Sequence, residues 1–241
     1  MDPHPRLSRL TSLQPERVLV AVLALAVLLA AGAAWHWSIT YDESNHLEMG
    51  RRIVDQWDFS RFDNSKMPVS ALNYLGLKAA WGGPDAQLFG ARLVQLGWLV
   101  GTAWVVFLWT RQLVGAWPAV GAASLVALDP NLMAHSSVAT TDAPCTFFVL
   151  FSTWLFWMAL ESPTRKRWLW AGGVFGLAQA AKFTSVFLVP ILGLLALLYA
   201  AHSRSFRPLR GGGWFVLSAL VALNGAYGFQ GALTPAKDIQ W

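Results

Sequence analysis

Residues 40–57, TYDESNHLEMGRRIVDQW, open the most hydrophilic part of the chain, Tyr41 to Trp81, and their reading decides the fold. This part holds eleven of the thirty-one Lys, Arg, Asp and Glu residues in a chain of 241, of which 55% are hydrophobic and only 13% charged. Uncharged apolar runs flank it, Val18 to Ala34 before and Leu93 to Thr110 after. A polar segment set between two such runs reads as a loop joining membrane helices.

Working outward, further uncharged runs follow: Gln112 to Leu128, Ala143 to Leu160, Trp168 to Ala181, Phe183 to Ala201 and Gly211 to Ala236. Together with the first two they make seven candidate spans. Gln112 to Leu128, which contains Pro118, and Trp168 to Ala181 fall short of the roughly 20 residues a crossing helix needs. The expected fold class is therefore an all-α polytopic membrane protein, a single transmembrane domain over residues 1–241 with its first outer loop at 38–88. Arg6, Arg9 and Arg17 before the first apolar run also fit a signal peptide. However, that run's seventeen residues exceed the roughly 7 to 15 of a signal core, and more spans follow. Fourteen Trp and fourteen Phe suit bilayer interfaces and lipid contact better than a soluble core.

The net charge of +5 does not point to nucleic acid, because the basic residues sit in small groups between apolar runs. They do orient the chain. With a cytoplasmic N-terminus, the inner segments hold ten Lys and Arg against three acids, and the outer ones eight against ten. The positive-inside rule then places the Tyr41 stretch, the Asp129 to Asp142 segment and Lys182 on the non-cytoplasmic side of a cell membrane. The single cysteine, Cys145, rules out an internal disulfide and reads as a packing residue.

Within the outer loop, Thr40 and Glu43 fit a capping box, and Met49, Ile53 and Trp57 follow at four-residue spacing, as in a helix lying on the membrane surface. A second surface helix is expected from Pro68 through Val69, Leu72, Leu75 and Ala79. Asp42 and Glu43 stabilise a helix N-terminus simply as acids, yet a carboxylate just beyond a membrane helix also meets lipid headgroups and water-borne acceptors together. Asp42 and His46 lie one turn apart, which leaves a divalent metal open as a cofactor. Asp142 reads either as an N-cap or as a site residue, and Lys182 either as a snorkelling side chain or as an outer cation. Asp129, His135, Asp142 and Lys182 would line a recess under the loop.

The acidic pair after the first span, the Lys66-Met67-Pro68 turn, the His135 to Pro144 segment opening a helix, and Ala181-Lys182-Phe183-Thr184 together resemble polyprenyl-phosphate-dependent membrane glycosyltransferases of the GT-C fold. Protein O-mannosyltransferases and the lipid A aminoarabinose transferase are the kinds concerned. The resemblance implies a GT-C-like helical bundle and covers the N-terminal half of such an enzyme. It therefore implies a truncated or short variant, and leaves standalone activity open. It also implies an inverting transfer from a polyprenyl-phosphate sugar to a hydroxyl acceptor on protein, lipid or glycan. Asp42 would be the base, Glu43 its catalytic partner orienting the loop or binding acceptor, and Lys66, Lys182 and Arg92 the phosphate ligands. His46, His135 and Asp142 complete the outer-face candidates. Lys66-Met67-Pro68 departs from the His-Pro-Pro or Lys-Pro of relatives. A transporter or flippase of a lipid-linked anion, or a non-catalytic membrane subunit, would share the spans. A transporter, however, would be expected to carry midplane charges and internal repeats, which the sequence does not display.

Overall fold

The computed structural model describes residues 14–59, 67–230 and 232, and among these the regular structure is helical throughout, without strands. Ten α-helices follow in order: α1 Pro15–His36, α2 Tyr41–Gln56, α3 Val69–Ala79, α4 Pro84–Val114, α5 Ala116–Ala127, α6 Pro130–His135, α7 Asp142–Glu161, α8 Arg165–Ala181, α9 Leu188–Ser203 and α10 Gly212–Ala226. Short 3-10 turns, Phe183–Phe187 and Arg207–Gly211, lead into α9 and α10.

Four segments are long and apolar enough to cross a bilayer: α1, α4, α7 and Phe183–Ser203. Three more candidate spans form the shorter helices α5, α8 and α10, of 12, 17 and 15 residues. The outward faces of α1, α9 and α10 carry Leu28, Leu194, Leu197, Leu198, Val216 and Leu220, each more than half exposed. In water such a belt would drive aggregation, and in lipid it is solvated. The protein is an all-helical, polytopic membrane protein.

Two cores hold the bundle together. Leu19, Leu23, Ala26 and Ala30 of α1 pack with Leu96, Leu99, Ala103 and Phe107 of α4 and with Ala119, Val120 and Ala123 of α5. Phe156 and Leu160 of α7 pack with Trp168, Ala171 and Phe175 of α8, Leu188 and Leu192 of α9 and Ala219 of α10. Trp98 of α4, against Phe147 and Phe148 of α7, bridges the two. Because lipid is as apolar as these side chains, close backbone approach supplies much of the cohesion. A Cβ on Gly172 would stand 2.1 Å from the Phe215 carbonyl oxygen, and one on Gly176 2.3 Å from that of Ala219, so α10 crosses α8 at the two α8 glycines.

The break between α4 and α5 falls at Gly115, whose φ of 96° favours glycine, so Gln112 to Val114 complete α4. Pro118 consequently sits in the first turn of α5, where it costs no hydrogen bond. Arg111 closes the end of α4 on Glu16 at 3.0 Å, tying it to the start of α1.

The loop forms two helices, as its sequence leads one to expect, but the apolar face of the first meets protein. Met49 and Ile53 of α2 are buried with Phe59 and Met67 against Ala226 and Tyr227 of the α10 end. Trp57 leaves the expected row, because it caps α2 in the left-handed region and stays 67% exposed. The second helix begins at Val69 and buries Val69, Ser70 and Asn73, with Leu72 and Leu75 outward.

The α8–α10 crossing makes a contrast testable. Gly172→Leu is expected to lower the melting temperature in detergent by about 2 to 10 °C, from an overpacking cost of about 1–3 kcal/mol. Gly173→Leu, where a Cβ meets nothing within 4 Å, is expected to leave it unchanged.

Candidate active site

The end of α1, the start of α2, the first part of α4 and the 136–141 segment meet around one ion pair. Arg92, on α4, is 1% exposed, and Glu43, in the first turn of α2, is fully buried. The Arg92 Nε and Nη2 atoms donate to the Glu43 Oε1 and Oε2 atoms at 2.7 Å each, a bidentate fork. Nη1 donates to the carbonyls of Ala34 and Trp37, both at 2.7 Å, and Nη2 also to that of Ser38 at 2.9 Å. A guanidinium has five N–H donors, and all five are used here. Arg92 thereby satisfies carbonyls at the C-terminal end of α1 that the helix leaves unpaired.

Glu43 is as fully engaged. Besides Arg92, it accepts from the Ala139 N–H at 2.8 Å and from the Thr40 N–H and hydroxyl at 2.9 and 3.1 Å. The backward reach to Thr40 is the capping-box contact expected from the sequence. Burial pushes the Glu43 carboxyl up. The hydrogen bonds from Arg92, Ala139 and Thr40 and the charge of Arg92 outweigh that and hold it below its ordinary value of 4.5. Glu43 was expected to orient the loop or bind acceptor, and Arg92 to hold the phosphate. The geometry instead spends every hydrogen-bonding group of Arg92, and the whole carboxylate of Glu43, on joining α1, α2, α4 and the 136–141 segment.

Asp42, one residue earlier, is in the opposite situation. It is exposed, and among the described residues no hydrogen bond or ion pair holds its carboxylate. His46, one turn on, is buried with Nδ1 3.3 Å from the Ser70 hydroxyl, so the pair does not converge as metal ligands would. No group of three or more His, Cys, Asp or Glu suited to a metal occurs among the described residues.

A second polar group lies on the same outer end. Ser137 donates its hydroxyl to the Ala30 carbonyl at 3.0 Å, fixing the 136–141 segment against α1. Three residues beyond Ala139, Asp142 begins α7 with Thr141 as its N-cap, so Asp142 is no cap itself. Its carboxylate takes the Lys182 ammonium on one oxygen and stands 3.5 Å from the His135 Nδ1 on the other. Asp129 is absorbed as the N-cap of α6, accepting from the Leu132 N–H at 2.8 Å. Three of the four side chains expected in the recess thus come together. Lys66 lies outside the described residues. Its neighbour Met67 donates its N–H to the Ala180 carbonyl at 3.0 Å, two residues from Lys182, and that carbonyl also accepts from Tyr227.

Sequence reasoning missed a buried polar layer beneath α2. The Gln95 Nε2 donates to the Asn73 Oδ1 at 2.7 Å, and neither residue is exposed. Gln95 inside an otherwise apolar run was its only sequence signal.

A family model described as dolichyl-phosphate-mannose-protein mannosyltransferase matches residues 84–225. The chain belongs to this family. No curated protein and no solved structure matches it. The mannosyltransferase-family segment runs from α4 to α10, taking in Arg92, His135, Asp142 and Lys182 and leaving Asp42 and Glu43 before it. The protein is thus a glycosyltransferase of the GT-C type.

Removing one partner of a buried ion pair strands the other, so Arg92→Gln is expected to cost about 3–5 kcal/mol of stability. Arg92→Lys should not restore it, since an ammonium offers three donors where five are used. Denaturation in detergent measures both. Because folding lowers the Glu43 pKa, the resulting stabilisation is complete above about pH 4.5 and is lost as the pH falls below that value. Glu43→Gln should flatten that acid slope.

Proposed function

We propose that this chain is an inverting glycosyltransferase that moves a sugar from a polyprenyl-phosphate carrier to a hydroxyl acceptor on the non-cytoplasmic face of a cell membrane. The observation that carries this reading is the division between neighbours: Glu43 is enclosed, and Asp42 is exposed and, among the described residues, unpaired at the start of the same helix. A rigidly held helix presenting a free carboxylate is what a general base requires.

A sugar joined to polyprenyl phosphate already has a good leaving group, so the reaction needs only a base and cations. Asp42 takes the proton from the acceptor hydroxyl as its oxygen attacks the anomeric carbon. The bond from that carbon to the phosphate oxygen breaks on the opposite side, and the phosphate leaves with the electron pair. Attack from that face inverts the anomeric centre. Lys182, 34% exposed, is the cation placed to meet the departing phosphate, with Asp142 and His135 beside it. Lys66, one residue from the Met67 contact with Ala180, is assigned to the same phosphate. Arg92 is given no part in it, having no donor left. The printed family description, with its dolichyl-phosphate-mannose donor, supports a lipid-phosphate sugar as donor. The excess of Lys and Arg in the other set of loops supports the sidedness.

Transfer of labelled sugar from polyprenyl phosphate in membranes tests the assignment. Asp42→Asn is expected to lower the rate by about 10²- to 10⁴-fold. The melting temperature should fall by no more than about 4 °C, because the carboxylate supports only the N-terminus of α2, by about 0.3–1 kcal/mol. Undiminished transfer would remove Asp42 as the base.

A further inference from the structure

The end of the bundle opposite the candidate site carries a feature that glycosyl transfer does not use. There α7 hands over to α8 and α9 to α10. Two loops far apart in sequence are brought together, because Leu209, between α9 and α10, packs onto the core that contains Leu160 and Trp168. Arg165, Lys166, Arg204 and Arg210 are all exposed in these two loops, and among the described residues none has an acidic partner. Glu161 is the one acid in the two loops. Arg167 is occupied in capping α7, donating to the carbonyls of Met158 and Ser162 at 3.1 and 3.2 Å.

Aromatic side chains frame these charges. The Arg165 guanidinium lies over the Trp214 ring, 4.0 Å from its centroid, which fixes a cation at the rim of the lipid-facing surface. Phe206, between Arg204 and Arg210, is 71% exposed, and Trp170, one turn into α8, is 59% exposed. Charges that served only to orient the chain during insertion would not need to converge in the folded protein. Converging beside exposed rings, they form a surface complementary to a phosphate with acyl chains below it.

We propose that this end binds anionic phospholipid headgroups, with Arg165, Lys166, Arg204 and Arg210 as phosphate partners and Phe206 and Trp170 against the acyl chains. The inference does not depend on the proposed transfer reaction.

The full chain, reconstituted in vesicles of equal phosphatidylglycerol and phosphatidylcholine and extracted in mild detergent, tests this through the lipid that co-purifies. Phosphatidylglycerol should be enriched over the bulk by about five-fold for each charge that engages it. The enrichment should fade as salt rises to about 0.5 M. The combined variant Arg165→Gln, Lys166→Gln, Arg204→Gln, Arg210→Gln should return co-purifying lipid to the bulk ratio. Arg165→Lys, Arg204→Lys, Arg210→Lys, which keeps the charge and hence the orientation, should retain most of the enrichment. Bulk composition around the wild type at low salt would overturn the proposal, as would undiminished enrichment in the Gln variant. Should the Gln variant fail to insert, the wild-type salt series decides: enrichment insensitive to salt would equally overturn it.

Discussion

The Glu43–Arg92 ion pair is the constraint on which the candidate-site end of the molecule depends. Two charges are taken out of water, and such a burial is tolerated only when geometry and hydrogen bonding are close to complete. Here they are: five donors of Arg92 and five acceptor contacts of Glu43 are all satisfied. The partners come from the end of α1, the start of α2, the middle of the chain at Ala139, and α4. One interaction therefore sets where the first span stops, how the loop helix leaves it, and which segment lies beneath.

That arrangement explains why two adjacent acids have different fates. On a helix, successive side chains diverge by about 100°, so burying Glu43 in the lock turns Asp42 away from it. The enclosed carboxylate stays ionised because its cation and N–H partners are fixed, and the exposed one stays available because none of the described residues binds it. A lock and a reactive group can thus share one turn of helix. The same economy appears at Asp142, which holds Lys182 and faces His135 without being needed as a cap.

Much of this was legible in the sequence. Spans are readable because uncharged runs have no other stable setting, and the Thr40–Glu43 box is readable because its partners are three residues apart. The meeting of His135, Asp142 and Lys182 was readable from the span pattern, since few charges of that set lie beyond the first loop and short helices end there. The partner of Arg92 was not readable. A charge in sequence declares that it needs compensation but not from where, and Glu43 is forty-nine positions away. Arg92 was accordingly assigned to a ligand when the protein itself saturates it. Trp57 misled for a local reason: four-residue spacing continued past the point where the chain turned left-handed. The face of α2 read as membrane-bound because apolar spacing cannot distinguish lipid from the α10 end that covers it.

The two ends of the bundle carry different electrostatics. The end that carries the lock compensates cations with acids, in the lock and at Asp142, and leaves the Asp42 carboxylate without a partner among the described residues. The opposite end leaves Arg165, Lys166, Arg204 and Arg210 without acidic partners among the described residues, beside aromatic rings. The claim beneath the whole account is that Glu43 and Arg92 need each other more than the fold needs either. A double-mutant cycle of Glu43→Gln and Arg92→Met, read as unfolding free energy in detergent, tests it directly. The account predicts that the double variant is more stable than Glu43→Gln, where an unpaired cation stays buried, with a coupling energy above about 1 kcal/mol. Losses that simply add, to within about 0.5 kcal/mol, would contradict it.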